Sequence, residues 1–178
     1  MKYVLITPAK NEEAFIGKTL DSVVGQTALP ERWVIVDDGS TDRTAKIVES
    51  YAKRHPWIEL VRRAQDPDRN FASKAHAVSL GFERVNSCQF ELLGNLDADI
   101  SFEPEYMEFV IQKFSEDPTL GVAGTPFTQD GKFGRFPRKD IITTELWARR
   151  ERARWARFFP MEKRIITSAV HPSGNCFA

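Results

Sequence analysis

Short apolar runs alternate along the chain with longer segments whose apolar residues recur at helical spacing. Five runs of apolar and β-branched residues predict buried strands: "YVLIT", "RWVIV", "WIELV", "FELLGNL" and "LGVAG". The segments between them predict four helices: "EEAFIGKTLDSVVGQ", "RTAKIVESYAKRH", "ASKAHAVSLGFERV" and "FEPEYMEFVIQKF". This alternation is typical of an α/β domain in which helices flank a mainly parallel sheet.

Proline and capping residues set the expected ends of the first elements. Pro8 is expected to stop the first strand, and Asn11 is expected to cap the first helix. Thr41 or Asp42 can cap the second helix, which is expected to end before Pro56.

Pairs of polar or turn-forming residues stand at the ends of three predicted strands: Thr7 and Pro8, Asp37 and Asp38, and Asp97 and Asp99. Sheets of this kind bind ligands in the crevice beyond the carboxyl ends of their strands. We therefore expect all three pairs to lie at one ligand site.

Asp97 and Asp99 follow the apolar run "FELLGNL" and are separated by one residue. Because strand side chains alternate between faces, these two carboxylates should point the same way and Ala98 the opposite way. Like charges this close are unfavourable unless a cation or a buried donor compensates them. The pair therefore suits Mg²⁺ or Mn²⁺ that keeps positions free for substrate phosphates. The alternative is that both are exposed loop residues.

The stretch "VIVDDGSTDRT" places Asp37 and Asp38 at the end of the second strand, before a turn at Gly39. In one interpretation this is an ordinary turn, in which Asp38 and Ser40 bond backbone amides. In the other, a carboxylate accepts hydrogen bonds from a nucleobase N–H or from ribose hydroxyls at the crevice. Turn chemistry alone favours the first interpretation.

Composition narrows the functional classes. The 178 residues suit one domain with a proper core, and 25 Lys and Arg residues balance 25 Asp and Glu residues. Since the net charge is zero and no nucleic-acid motif is present, a nucleic-acid partner is not expected. Two cysteines without metal-ligand or disulfide-framework spacing favour a reducing cytosol. The N-terminal apolar run is too short for a signal peptide or a membrane span.

Four motifs in this order resemble the family 2 glycosyltransferases, which have the Rossmann-like GT-A nucleotide-sugar-binding fold: "ITPAKNEE", "VIVDDGSTD", "KAHAVSLG" and "NLDADI". The resemblance covers most of residues 1–125. It implies transfer of a sugar from a nucleotide-diphosphate sugar, UDP being favoured over GDP, to an acceptor hydroxyl or a lipid phosphate. It also implies that Mn²⁺ or Mg²⁺ on the D-x-D pair bridges the diphosphate and stabilises the leaving group.

The resemblance further implies roles for particular residues. The base and ribose pocket would be lined by residues of the first two motifs: Thr7, Pro8, Glu12, Asp37 and Asp38. Asp99 would be the firmest metal ligand, Asp97 would lie towards ribose or metal, and Lys74 would face the nucleotide. Ala75 and Ser79 stand where the family pattern "GKxxALNxG" often has Gly and Asn, so the contacts at these two positions stay open.

An inverting displacement, which the family also implies, needs a carboxylate that takes the proton of the acceptor hydroxyl. "HPSGNCFA" resembles the start of the glycine-containing segment that precedes this base, and no acidic residue follows Glu162. We therefore expect the base to lie beyond Ala178, in a longer enzyme, and His171 to be structural. The expected division is a donor-binding core over residues 1–130 and a basic, aromatic, helical segment that begins the acceptor side over 131–178.

Residues 135–164 include ten basic and four acidic residues. On a helix, Trp147, Trp155 and Phe158 would share one face, and most arginines would point elsewhere. Such a helix can lie on an anionic membrane surface. Residues 140–159 are therefore a candidate membrane contact for an enzyme at the inner face of the membrane, acting on a glycan or lipid-linked acceptor of the cell envelope. The alternative is a helix whose aromatic residues pack on the core.

Other functional classes fit less well. A phosphohydrolase would have its D-x-D near the first strand, and a nucleotidyltransferase would have a glycine-rich, basic loop where this chain has "TPAKNEEAFIG". A dinucleotide oxidoreductase would have a G-x-G-x-x-G fingerprint. A nucleotide-sugar-binding domain without a base, or a short and catalytically poor homologue, stays open, because only turnover by the full-length protein separates it from an enzyme.

Overall fold

The computed structural model describes residues 1–64, 71–124, 128–129, 132–133 and 145–150. The strands in these residues are β1 (Tyr3–Ala9), β2 (Arg32–Asp37), β3 (Ile58–Arg62), β4 (Leu92–Leu96), β5 (Val122–Ala123), β6 (Thr128–Gln129), β7 (Lys132–Phe133) and β8 (Glu145–Arg149). The helices are α1 (Ile16–Val24), α2 (Thr44–Ala52), α3 (Phe71–Val85) and α4 (Tyr106–Glu116).

Six strands form one sheet in the order β3, β2, β1, β4, β8 and β5. The pairs β3–β2, β2–β1 and β1–β4 are parallel, whereas β8 runs antiparallel to both β4 and β5. β6 and β7 pair with each other in antiparallel fashion. The prediction of a mainly parallel α/β sheet flanked by helices is confirmed.

Both faces of the central strands are buried, which explains why these strands read as continuous apolar runs. One face packs with α3 in a cluster that includes Val4, Ile6, Val34, Val36 and Leu93. The other face packs with α1 and α4 in a cluster that includes Tyr3, Leu5, Trp33, Ile35 and Leu92. The alternation of side chains along each strand therefore decides which residues reach the α3 face.

Two glycines allow close packing beneath the strand ends. A Cβ atom at Gly81 of α3 would lie 2.5 Å from Ile6 Cγ2, so α3 lies directly on β1. A Cβ atom at Gly94 of β4 would lie 2.7 Å from Leu5 Cδ2 and 2.9 Å from Trp147 Cη2. Gly94 therefore makes room for the indole of Trp147 against the centre of the sheet.

Two predicted boundaries near the first strand are wrong. β1 continues through Pro8, which pairs in register with Val36 of β2. Asn11 has a left-handed backbone conformation with φ of 57°, and α1 begins only at Ile16. The reason is tertiary, because Asn11 Oδ1 accepts a hydrogen bond from Thr41 N at 2.8 Å and so joins two loops instead of capping α1.

The helical prediction for the basic segment is wrong over Glu145–Arg149, which forms strand β8. Trp147 is fully buried and packs edge-to-face on Tyr3, with ring centroids 5.6 Å apart. It packs on the core, as the alternative interpretation held, but from a strand. The sheet imposes this conformation because β8 supplies the backbone partners of both β4 and β5. Trp155 and Phe158 lie outside the described residues.

The division of the chain at residue 130 stays a prediction, although β8 places residues 145–149 in the core sheet. The segment "HPSGNCFA" with His171 lies outside the described residues. Within the described ranges, no helix is both long enough and apolar enough to cross a membrane.

Candidate functional site

An open cavity of about 300 Å³ lies at the carboxyl ends of β1, β2 and β4, against the N-terminal half of α3. Six residues that the sequence singled out line it: Pro8, Glu12, Asp38, Lys74, Asp97 and Asp99. Lys10 and Ser73, which the sequence did not single out, line it too. The cavity is therefore where a parallel sheet of this type binds ligands.

Thr7 and Asp37 are the two predicted site residues that do not line this cavity. Thr7 is fully buried, and its Oγ1 accepts a hydrogen bond from Trp33 Nε1 at 2.9 Å. Asp37 is buried as well, and its Oδ1 accepts a hydrogen bond from Ser40 N at 3.0 Å. Strand alternation turns both side chains to the face opposite α3. Direct contact of either with a nucleotide stays a prediction.

The Asp38 carboxylate is buried beside α3, and each of its oxygens accepts a hydrogen bond. Oδ1 accepts from Arg63 Nη1, and Oδ2 accepts from Ser73 Oγ. The backbone N–H of Asp38 donates to Ala9 O at 2.9 Å, which fixes the chain where β2 ends. A buried carboxylate needs such partners, and Arg63 also neutralises its charge.

The sequence interpretation missed Arg63 and Ser73. Arg63 directly follows β3, so the strand-end argument could have found it if it had been applied to the third strand. Ser73 directly precedes Lys74, but a serine near the start of a helix is too common to indicate a site.

Asp97 and Asp99 both line the wall of the cavity, in the turn that follows β4 and not in the strand itself, and Ala98 lines the cavity as well. Lys74 Nζ lies 2.6 Å from Asp97 Oδ1, and the two side chains are 56% and 25% exposed. Thr19 of α1 anchors the turn, because its Oγ1 donates to Ala98 O at 2.8 Å. Asp99 is exposed, so this pair is accessible to a ligand.

The loop after β1 is tied to the start of α2, which brings Glu12 to the cavity. Glu12 N donates to Thr44 Oγ1 at 2.8 Å, and Thr44 Oγ1 donates to Asp42 Oδ1 at 2.6 Å. Asp42 Oδ1 also accepts from Thr44 N at 2.9 Å. Asp42, one of the two predicted capping residues, therefore bonds the first residue of α2 and holds Glu12 through Thr44.

Negative charge accumulates around Glu12. Burial raises the pKa of Glu12 above its ordinary value, and the charge of Asp99 adds to the rise. Asp42 and Asp97 act on this pKa in the same direction, whereas Lys74 lowers it. Glu12 therefore lies in the field of the two aspartates after β4, where a cation is favoured.

The donor atoms at this end suit a hard divalent cation with coordination positions left for phosphate oxygens. Asp38 is paired with Arg63. The other lining carboxylates are those of Glu12, Asp97 and Asp99, and the lining ammonium groups are those of Lys10 and Lys74. Among the residues that the structure describes, no group of three or more His, Cys, Asp and Glu side chains could hold a metal ion. The two aspartates can therefore supply only part of a coordination shell, which a ligand would have to complete.

A larger depression, of about 440 Å³, runs along β3 at the edge of the sheet. Its charged side chains pair with one another: Arg62 Nη2 lies 2.7 Å from Glu49 Oε1, and Arg32 Nη1 lies 3.1 Å from Glu59 Oε2. No predicted site residue lines this depression. Charged side chains of this kind protect an unpaired strand edge and do not by themselves form a site.

The family profile described as glycosyl transferase family 2 matches residues 4–176. The chain belongs to this family. The match extends over nearly the whole chain and confirms the resemblance drawn from the four sequence motifs. The members of the family are glycosyltransferases, which also confirms the predicted class of enzyme.

The chain spans about a quarter or less of the length of the curated relatives that it matches. One of them, the beta-monoglucosyldiacylglycerol synthase of Synechocystis sp., is 32% identical over 120 residues. This match covers 66% of the chain and 23% of the relative.

Two solved structures share the fold. The mannosyltransferase PcManGT from Pyrobaculum calidifontis, in complex with GDP-Man and Mn²⁺, aligns with a TM-score of 0.65 at 22% identity over 89% of this chain and 47% of that one. Glucosyl-3-phosphoglycerate synthase from Mycobacterium tuberculosis, in complex with Mn²⁺, UDP and glucosyl-3-phosphoglycerate, aligns with a TM-score of 0.62 at 20% identity over 84% and 57%. The predicted GT-A fold is thereby confirmed.

Proposed function

We propose that this chain is the donor-binding part of an inverting, metal-dependent glycosyltransferase. Its donor is a nucleotide-diphosphate sugar, and its acceptor is a hydroxyl group or a lipid phosphate. The observation that carries the proposal is that Asp38, Asp97 and Asp99 converge on one cavity in a family 2 chain.

The β2 end of the cavity suits the nucleobase. The oxygens of the Asp38 carboxylate accept hydrogen bonds, so they select a base edge that offers an N–H. Its two oxygens accept bonds from Arg63 and Ser73, and each keeps a lone pair for a ligand. Both uracil and guanine offer an N–H to such an acceptor, so we propose UDP over GDP on the resemblance to the family. Pro8 and Glu12 line the adjoining wall and would contact the base and ribose.

The β4 end of the cavity suits the diphosphate. Asp99 and Asp97 would hold Mn²⁺ or Mg²⁺, which supplies Lewis-acid chemistry to the leaving diphosphate when it is bound. Lys74, beside Asp97, would donate to the phosphate oxygens. The pKa of Glu12 is raised first by burial and then by the charges of Asp99, Asp42 and Asp97, and a divalent cation would offset this negative charge. Both solved relatives contain Mn²⁺, which also supports a divalent ion.

The acceptor side follows from the resemblance to the family. The acceptor oxygen would attack the anomeric carbon on the face opposite the leaving diphosphate while a carboxylate takes its proton. We propose that this base lies beyond Ala178. The matched beta-monoglucosyldiacylglycerol synthase is named for a glycolipid, which supports a lipid-linked acceptor as well as a glycan acceptor. A cytoplasmic enzyme that is peripheral at the inner membrane face would suit either acceptor. Membrane contact stays a prediction for the parts of residues 140–159 outside β8.

Calorimetric titration of UDP and of GDP into this chain, with and without Mn²⁺, tests the proposal. We expect one nucleotide to bind in a metal-dependent way. Asp99→Asn should weaken that binding by more than the roughly 10- to 100-fold that is typical of losing an outer-shell partner, because it removes a direct ligand.

Glu83→Gln is the matched control, since Glu83 is exposed on α3 and does not line the cavity. It should bind the nucleotide as the wild type does. If neither nucleotide binds in the presence of Mn²⁺, the donor site is wrong. Nucleotide binding without sugar transfer by the full-length protein would instead indicate a nucleotide-sugar-binding domain without catalysis.

A further inference from the structure

A buried ion pair between Arg63 and Asp38 lies at the β2 end of the cavity. We infer that Arg63 and Ser73 are positioning residues for base recognition, which hold the Asp38 carboxylate in one orientation. Arg63 acts on the nucleotide through Asp38. The inference rests on the donor-binding function proposed above and adds two residues to it.

Burial makes this arrangement rigid. Asp38 and Ser73 are 6% and 7% exposed, and the Arg63 side chain is 20% exposed. Arg63 Nη1 donates to Asp38 Oδ1 and also lies 3.2 Å from Ser73 O, to which it donates a second bond. Ser73 Oγ donates to the other oxygen, Asp38 Oδ2. With a bond on each oxygen, the plane of the carboxylate is fixed.

Three elements meet in this cluster. Arg63 N donates to Asp37 O at 2.8 Å and so extends the ladder between β2 and β3 by one residue beyond its last strand pair. Ser73 belongs to α3, and Asp38 follows β2 directly. Since Lys74 is the next residue of α3, the helix that orients Asp38 also carries the residue beside Asp97.

The chemical consequence is a preformed acceptor. A carboxylate with one bond on each oxygen keeps a lone pair on each oxygen for a ligand N–H. Arg63 has hydrogen-bond donors and no acceptor, so it holds the Asp38 carboxylate as an acceptor. Loss of Arg63 would remove the bond on Asp38 Oδ1 and let the carboxylate rotate, and this change would weaken an N–H contact.

The test compares a probe that has a base with one that lacks it. UDP and inorganic pyrophosphate are titrated in the presence of Mn²⁺ into the wild type, Arg63→Met, Arg63→Lys and Ser73→Ala. We expect Arg63→Met to weaken UDP binding by roughly 10- to 100-fold. This range corresponds to losing the charge-assisted bond between the Asp38 carboxylate and the base. Pyrophosphate should bind within about twofold of the wild type, because it has no base.

Arg62→Met is the matched control, since Arg62 is the neighbouring residue and pairs with Glu49 on the surface. It should change the affinity for neither probe. Arg63→Lys should recover part of the UDP affinity, because an ammonium group restores the charge. Ser73→Ala should weaken UDP binding selectively, and to a smaller extent. Combined with Asp38→Asn, Arg63→Met should add little to the loss, because both act on one contact.

Unchanged UDP affinity in Arg63→Met and Ser73→Ala would overturn the inference. An equal loss of UDP and pyrophosphate binding would also overturn it, since that pattern marks general damage to the cavity. Should Arg63→Met fail to fold, judged by circular dichroism, Ser73→Ala and Arg63→Lys carry the test. If the wild type binds pyrophosphate but neither UDP nor GDP, the proposed function itself fails, and this outcome is distinct from the others.

Discussion

The two ends of the cavity hold their carboxylates in different ways. At the β2 end, Asp38 is 6% exposed, and Arg63 and Ser73 supply its partners from within the protein. At the β4 end, Asp99 is exposed and Asp97 pairs with Lys74, whose side chain is 56% exposed. Asp38 therefore has its counter-charge within the protein, whereas the carboxylates at the β4 end can exchange their present partners for a ligand.

This difference separates recognition from charge binding. A buried ion pair is costly to break, so the Asp38 end is built before any ligand arrives and suits the neutral edge of a base. A solvent-exposed pair contributes little to stability, so Lys74 and Asp97 can take new partners at small cost. The β4 end thus suits a cation and a diphosphate, which bring charges of their own.

The largest effect is expected from a variant that breaks the buried pair of Asp38 and Arg63. Asp38→Ala leaves Arg63 buried without its counter-charge and should lower the free energy of unfolding by about 3 kcal/mol or more. Urea denaturation followed by tryptophan fluorescence measures this. Asp97→Ala, at the exposed end, should cost under about 1 kcal/mol. Equal losses in the two variants would mean that the two ends do not differ as described.

A smaller effect on stability is expected from Lys74→Met. The exposed pair with Asp97 should contribute less than about 1 kcal/mol to the free energy of unfolding, measured in the same way. UDP binding in the presence of Mn²⁺ should nevertheless weaken, because a phosphate-binding charge is lost. Lys113→Met is the control, since Lys113 pairs with Glu116 at 2.8 Å on α4, away from the cavity. It should affect stability alone, so weakened UDP binding in this variant would refute a specific role of Lys74.

The smallest effect concerns Glu12 and pH. Its pKa is raised above the ordinary 4.5, so the folded state binds this proton more tightly than the unfolded chain does. Stability conferred by this group is therefore complete at pH values below 4.5 and falls as the pH rises through the raised pKa. Glu12→Gln removes this loss of stability with rising pH.

Relative to the wild type, Glu12→Gln should gain stability between pH 4 and pH 7, by less than about 0.5 kcal/mol, because solvent screens a partly exposed group. Urea denaturation at the two pH values gives the difference. A relative loss of stability over this range would show that Glu12 is held by favourable partners instead of being repelled by Asp99 and Asp97.

Local patterns predicted much of the site. Asp97 and Asp99 were predicted as a pair from their position after an apolar strand, and both line the cavity from the turn that follows β4. Thr7 and Asp37 lie on the sheet face opposite α3, and no sequence pattern says which face α3 covers. The family resemblance included both residues, whereas their side chains bond Trp33 and Ser40.

Tertiary contacts decided the features that the patterns missed. Arg63 and Ser73 lie 25 and 35 residues from Asp38 in the sequence, so no local pattern joins them. Helical spacing of Trp147 with Trp155 and Phe158 suggested a helix. The backbone partners offered by β4 and β5 made Glu145–Arg149 a strand, and burial of Trp147 over Gly94 reinforces it.

By itself, the sequence determined the α/β class, the strand ends that carry Asp38, Asp97 and Asp99, and the membership in a glycosyltransferase family. These depend on side-chain periodicity and on motifs, which are local. Only the tertiary structure decided which carboxylate is matched internally and which is left for a ligand. The physical reason is that burial and counter-charge come from segments distant in the chain, and these meet only when the sheet and α3 have packed.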